Sequence, residues 1–176
     1  CIRDSVMSLE ISALDEPRAA AMLDTAYKAG VTYYDTAYFY HQHTGEAFLG
    51  RAMKRYPRDT FYLATKMPMS IVESLDHAKE IFEGQLAALQ TDYVDFYLLH
   101  AVNGERWKQA QEMGIVDFLL EMQKAGRIRH FGFSFHGSYE EFETILTARD
   151  WNFCQIQFNY MDPVSYTHLR AHETRH

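Results

Sequence analysis

Hydrophobic and polar positions along the chain follow two alternating periods. Short runs rich in β-branched and aromatic residues, VTYYDTA (31–37), TFYLATK (60–66), YVDFYLLH (93–100), RIRHFGFS (127–134) and NFCQIQFN (152–159), each predict a strand. Between them the apolar spacing changes to three and four. Residues 72–90 put Leu75, Ala78, Phe82, Leu86 and Leu89 on one face, which predicts an amphipathic helix. Residues 107–124 predict another, with Val116, Leu119, Leu120 and Gln123 near one face and Gly126 where a left-handed C-cap belongs. Ser138 and Glu141 form a capping-box pattern ahead of Phe142, Ile145 and Leu146. Pro17 sits in the first turn of an earlier helix that ends at Gly30.

From strand to strand the unit recurs at roughly thirty residues, the length of a βα unit, so consecutive strands should run parallel with helices packed outside. Each strand also ends on a polar residue that strand propensity does not require: Asp35, Lys66, His100, Ser134 and, for the last, Gln155 or Asn159. In a (β/α)8 barrel such strand ends converge on one mouth, whereas a doubly wound sheet would string them along an edge. No GxGxxG follows any strand, so the dinucleotide fingerprint of the doubly wound alternative is absent. A complete barrel takes about 250 residues. Five strands are visible here, with a remnant of another before Leu14, so the expected fold is α/β, a partial (β/α)8 barrel of parallel strands.

Composition narrows the partners. With 176 residues, 47% of them hydrophobic and 23% charged, the chain can bury one sizeable core. A net charge of -7 gives no broad basic field for nucleic acid or anionic membrane, which leaves a small molecule as the expected partner and the oligomeric state unread. Cys1 and Cys154 are the only cysteines and encode neither a disulfide framework nor a Cys-rich metal site, so a reducing cytoplasm is the expected compartment. No signal-peptide pattern opens the chain, and no apolar run approaches membrane-spanning length.

Asp35 opens DTAYFY, with Tyr40 five residues on; Lys66 closes FYLATK and His100 closes DFYLLH. On these three segments, in this order, the chain resembles the aldo-keto reductase superfamily over roughly residues 15–163, whose tetrad is Asp, Tyr, Lys and His. The resemblance implies reduction of aldehyde or ketone carbonyls with NADPH or NADH, NADPH being favoured. The segment that grips the adenosine phosphate follows the final strands of that family, so the choice between NADP and NAD is not legible here. More narrowly, KRYPRDTFYLATKMP, LLHAVNGERW, GRIRHFGFSFHGS and WNFCQIQFNYMD resemble the branch whose barrel precedes a small ferredoxin-like iron–sulfur segment. With two cysteines, these residues cannot themselves ligate a cluster.

The chemistry follows from the residue types. Hydride addition to a carbonyl requires an acid for the developing alkoxide, and a phenol with a reference pKa of about 10 is a poor donor near neutrality. An ammonium beside it stabilises the phenolate, so Lys66 activates Tyr40 as general acid. Asp35 pairs with Lys66 where an unpaired ammonium would be costly, and His100 donates a hydrogen bond to the substrate oxygen. By resemblance, Asp35 counts among the cofactor contacts as well. A polar pair after the fifth family strand and a glutamine in the sixth hold the nicotinamide carboxamide, and Ser134 and Gln155 match them. The pair is broken, because Phe135 stands where the family has asparagine, and His136 follows it.

Each residue alone has a plainer reading: Asp35 as a loop cap, Tyr40 as a core-edge tyrosine, Lys66 as a surface lysine, His100 as a hydrogen-bonded histidine, Ser134 and Gln155 as rim polar groups. Together, in family register, the tetrad outweighs them. Lys66 alone also suits a Schiff-base aldolase, against which DTAYFY argues. Asp35 and His100 alone suit a metal hydrolase, but no His-x-His follows a strand, and no metal site is expected. His168, His172 and His176 fall on one helical face, yet VSYTHLRAHETRH lacks the apolar face of a barrel helix. The expected layout is an incomplete barrel over 1–163, with 1–5 and 164–176 foreign to it. Two other functions stay open: a cofactor-binding regulatory relative without catalysis, and an inactive truncated fragment.

Overall fold

In the computed structural model, which describes residues 3–5 and 16–156, each predicted βα unit forms. The order is β1 (Arg3–Ser5), α1 (Glu16–Lys28), β2 (Tyr33–Asp35), α2 (Gly45–Met53), a 3-10 turn (Arg58–Thr60), β3 (Tyr62–Met67), α3 (Leu75–Leu89), β4 (Val94–Val102), α4 (Gly104–Glu112), α5 (Ile115–Lys124), β5 (Ile128–Phe135), α6 (Tyr139–Thr147) and β6 (Phe153–Ile156). All neighbouring strands pair in parallel, in the unbroken sequence β1 to β6. A doubly wound sheet reverses its strand order at a switch point; an order without reversal is the winding of a barrel. The chain therefore forms a partial (β/α)8 barrel. The strand remnant expected before Leu14 is β1, which pairs with β2 from Arg3↔Tyr33 to Ser5↔Asp35. Residues 157–159 of the last predicted strand, Asn159 among them, and the 164–176 segment with its three histidines lie outside the described residues.

The outer face of the sheet and the inner faces of the helices share one core. Leu63, Tyr97, Leu99, Phe131 and Phe133 from the strands are buried with Leu23, Phe48, Leu49, Phe82, Leu86, Phe142 and Ile145 from the helices. The opposite face carries an aromatic layer centred on Phe96: His130 stacks on it at 4.9 Å between centroids, and Tyr33 and Phe153 approach at 5.1 Å. At the N-terminal ends of the strands, buried Asp95 accepts from Arg58 Nη2 (2.7 Å), Arg129 Nη1 (2.8 Å) and the Leu63 amide (2.9 Å). The two guanidinium groups stand 4.1 and 4.3 Å from the Tyr93 ring centre. One carboxylate thus ties β3, β4 and β5 together, with cation–π contacts added.

Capping signals locate helix ends well. The Ser138–Glu141 capping box forms, and Gly30 and Gly126 take the left-handed conformation at φ +89° and +77°. The single helix expected over 107–124 is instead two helices. Asn103 starts α4 early by accepting from the Arg106 amide, and left-handed Gly114 (φ +72°) ends it and begins α5. Helix α2 carries no clear signal because Gly45 and Gly50 read as loop. Gly50 is required by packing: a Cβ there would collide with the Ala88 carbonyl oxygen and lie 2.7 Å from the Leu89 carbonyl carbon. Alanine normally favours a helix over glycine by about 1 kcal/mol. Gly50→Ala is expected to reverse that sign and destabilise the chain by about 2 kcal/mol or more through overpacking. Urea unfolding checks this, and an unchanged or raised midpoint would refute the close α2–α3 crossing.

Candidate active site

Asp35 ends β2, and Lys66 lies one residue before the end of β3. Their side chains meet in the interior at 0% and 1% exposure, with Lys66 Nζ 2.8 Å from Asp35 Oδ1. The same ammonium donates to the Thr36 carbonyl at 2.7 Å. A lone buried ammonium would be unstable by several kcal/mol, and two close acceptors offset that penalty. The centre of the Tyr40 ring is 5.1 Å from Lys66 Nζ.

Tyr40 is held by the loop between β2 and α2. Its amide donates to the Ala37 carbonyl at 3.1 Å, and its carbonyl accepts from the Gly45 amide at 3.2 Å. His41, Gln42 and His43 follow with φ of +53°, +55° and +69°, a left-handed run that L-residues adopt only when held there. The hold comes from Thr44, whose hydroxyl and amide both donate to the His41 carbonyl, and from His43, packed 4.8 Å from the Tyr38 ring. The turn brings Tyr40 to 6.2 Å from His100 between ring centroids, at 81°.

His100 stands in β4 beside a bulge. Burial pushes its pKa down to about 4, reinforced by the positive fields of Lys66, His136 and Arg106. Near neutral pH it is therefore an uncharged imidazole, with one ring N–H to donate.

Ser134 and Gln155 are direct register partners on β5 and β6. Ser134 Oγ accepts from the Ala101 amide at 2.8 Å and lies 3.5 Å from the Leu99 carbonyl. Gln155 Oε1 is buried and has no hydrogen-bond partner among the described residues. An orphaned amide acceptor next to a serine hydroxyl fits a carboxamide, which brings both a donor and an acceptor. Phe135 faces away and packs on Phe142 at 5.3 Å, while His136 is exposed.

Sequence reasoning missed the support behind Lys66. Glu46 of α2 accepts from Thr65 Oγ1 and, at 2.7 Å, from Gln85 Nε2; Gln85 also donates to the Lys66 carbonyl at 3.0 Å and accepts from Tyr97 OH at 2.6 Å. Burial raises the Glu46 carboxyl above its ordinary range against the pull of those hydrogen bonds. Glu46 lies in the helix that the glycines conceal, so no periodic signal marks it. Among the described residues, no cluster of three or more His, Cys, Asp or Glu is placed to hold a metal ion, and no helix is long and apolar enough to cross a membrane.

Several proteins similar to this chain are aldo-keto reductases by name. It is 28% identical over 158 residues to an aldo-keto reductase of Bacillus subtilis, covering 84% of this chain and 46% of that protein. To an aldo-keto reductase of Mycolicibacterium smegmatis it is 29% identical over 144 residues, covering 81% and 48%. The holo form of a Bacillus halodurans aldo-keto reductase superimposes with a TM-score of 0.78 at 27% identity, covering 97% of this chain and 58% of that one. The chain thus spans less than half the length of these curated relatives. Residues 6–174 match the Aldo/keto reductase family, and with that match running nearly end to end, the chain belongs to it.

Proposed function

We propose that this chain forms the tetrad-bearing part of an NAD(P)H-dependent reductase of aldehyde and ketone carbonyls, with a small molecule as its partner. The observation that carries this reading is the buried Lys66–Asp35 pair beside the Tyr40 ring, facing His100. The nicotinamide, when bound, supplies the hydride. Tyr40 delivers the proton to the nascent alkoxide, and the adjacent Lys66 charge favours the phenolate left behind. Asp35 keeps Lys66 charged and in place. Neutral His100 donates to the substrate oxygen without competing as a stronger acid. Ser134 and Gln155 would hold the carboxamide, with Asp35 at the floor of the same mouth. Family membership favours NADPH over NADH, and the scarcity of cysteine favours a cytoplasmic setting. The likeness to the iron–sulfur branch belongs to this proposal too, and the absorbance and iron content of the full-length protein test it.

Two outcomes are expected. Tyr40→Phe should lower kcat for an aldehyde by about 100-fold or more while NADPH binding persists, since general acid catalysis contributes at least that much. Unchanged turnover would remove Tyr40 from the role of acid; NADPH binding with no turnover in the full-length wild-type protein would favour the regulatory reading instead. The second concerns pH. The folded-state pKa of His100 lies below the ordinary 6.5, so the unfolded chain takes up this proton first as pH falls. Its contribution to stability should be complete above about pH 6.5 and be lost as pH falls toward about 4, the folded-state value. Urea midpoints across that window should decline less in His100→Asn than in the wild type; equal slopes would contradict a buried, neutral His100.

A further inference from the structure

We infer that Ser134 and Arg106 are positioning residues that hold a β4 bulge at Ala101 and thereby fix the His100 imidazole. The inference rests on the reading of His100 as the donor to the substrate oxygen. Between the register pairs Leu99↔Phe133 and Val102↔Phe135, two β4 residues, His100 and Ala101, oppose the single β5 residue Ser134. Ala101 is the inserted residue and sits at φ +49°, a left-handed conformation unfavourable for alanine. Bulges of this kind re-aim side chains beside active sites.

A bulged residue has lost its ladder partners, and here side chains replace both of them. The Ala101 amide donates to Ser134 Oγ at 2.8 Å, and the Ala101 carbonyl accepts from Arg106 Nη1 at 2.7 Å. Arg106 is itself anchored, since its amide donates to Asn103 Oδ1 at 2.9 Å. The preceding turn is tied to α6: the Gly104 amide donates to Glu141 Oε1 at 3.0 Å, and Glu141 belongs to the capping box with Ser138. A continuous truss therefore runs from the start of α6, through the start of α4, to the residue after His100. Tyr40 and Phe39 from the β2–α2 loop pack against the imidazole, and the positive fields of Lys66 from β3, Arg106 from α4 and His136 after β5 reach it. Ser134 Oγ accepts from the bulge and donates only a long hydrogen bond, 3.5 Å, to the Leu99 carbonyl, which a better acceptor could replace. One hydroxyl can thus brace His100 and serve the cofactor subsite.

The test reads His100 directly in the full chain, by NMR titration of 13C-labelled imidazoles, with thermal melts to establish that each variant folds. Ser134→Ala changes no charge, yet His100 resonances should move and its pKa should rise by at least about one unit as the ring loses its buried setting. Unmoved resonances and an unmoved pKa in a folded Ser134→Ala chain would overturn the inference. Arg106→Gln and Arg106→Met provide the same decision if Ser134→Ala does not fold. Both remove the charge, but only glutamine can donate to the Ala101 carbonyl, so the methionine variant should show the higher His100 pKa; equal values would overturn the inference. With NADPH and an aldehyde, Arg106→Met should lower kcat about tenfold relative to Arg106→Gln at similar cofactor KM, as expected for a misaligned donor. Absence of turnover in the full-length wild-type protein defeats the proposed reductase function, while the titrations still decide the role of the bulge.

Discussion

The site depends on a lysine that has been taken out of water. Lys66 is almost completely buried, and Asp35 and the Thr36 carbonyl, both within 2.8 Å, offset the cost of holding its ammonium there. That requirement fixes β2 beside β3 in one register, Asp35↔Ala64 among its pairs, so that the two side chains meet at the same end of the sheet. On the other side of β3, Glu46 and Gln85 clamp Thr65 and the Lys66 carbonyl, so α2 and α3 secure the backbone that carries the charge. Removing one partner would weaken the satisfaction of a buried charge or polar group, at a cost of about 1–3 kcal/mol for each group left unpaired.

Stability and chemistry occupy opposite ends of the strands. At the N-terminal ends, Asp95 gathers two arginines and an amide, none of them from a candidate site residue, into a structural knot. At the C-terminal ends lie Asp35, Lys66, His100, Ser134 and Gln155, contributed by five successive strands. This is the division of labour of a barrel: a sequential parallel sheet delivers one side chain per strand to a common mouth. Local strain collects there also, in the left-handed run from His41 to His43 and at Ala101, and hydrogen bonds from neighbouring side chains sustain it.

What could be read from the sequence follows from how each feature is encoded. Strands and most helices were legible because a repeating apolar period specifies them, and the capping box at Ser138 because two residues define it. Helix α2 was not, since Gly50 is there to admit the backbone of α3, a tertiary requirement with no local signature. The break at Gly114 was overridden by an apparently continuous apolar stripe. The tetrad residues stood out as polar groups ending apolar strands, whereas Glu46 and Gln85 reach the site through partners distant in sequence, and Arg106 through the carbonyl of a bulged residue. The Ala101 bulge depends on the register between two strands, which no single segment records.

The claim at the centre of this account is that the mouth of the barrel moves a hydride to a carbonyl carbon while Tyr40 supplies the proton. It is tested most directly by incubating the full-length protein with an aldehyde and NADPH deuterated at the transferring C4 position, in ordinary water, and locating the label. The account predicts an alcohol with one deuterium on its carbinol carbon and none on its hydroxyl. An alcohol lacking carbon-bound deuterium, or cofactor bound with no alcohol formed, would contradict it.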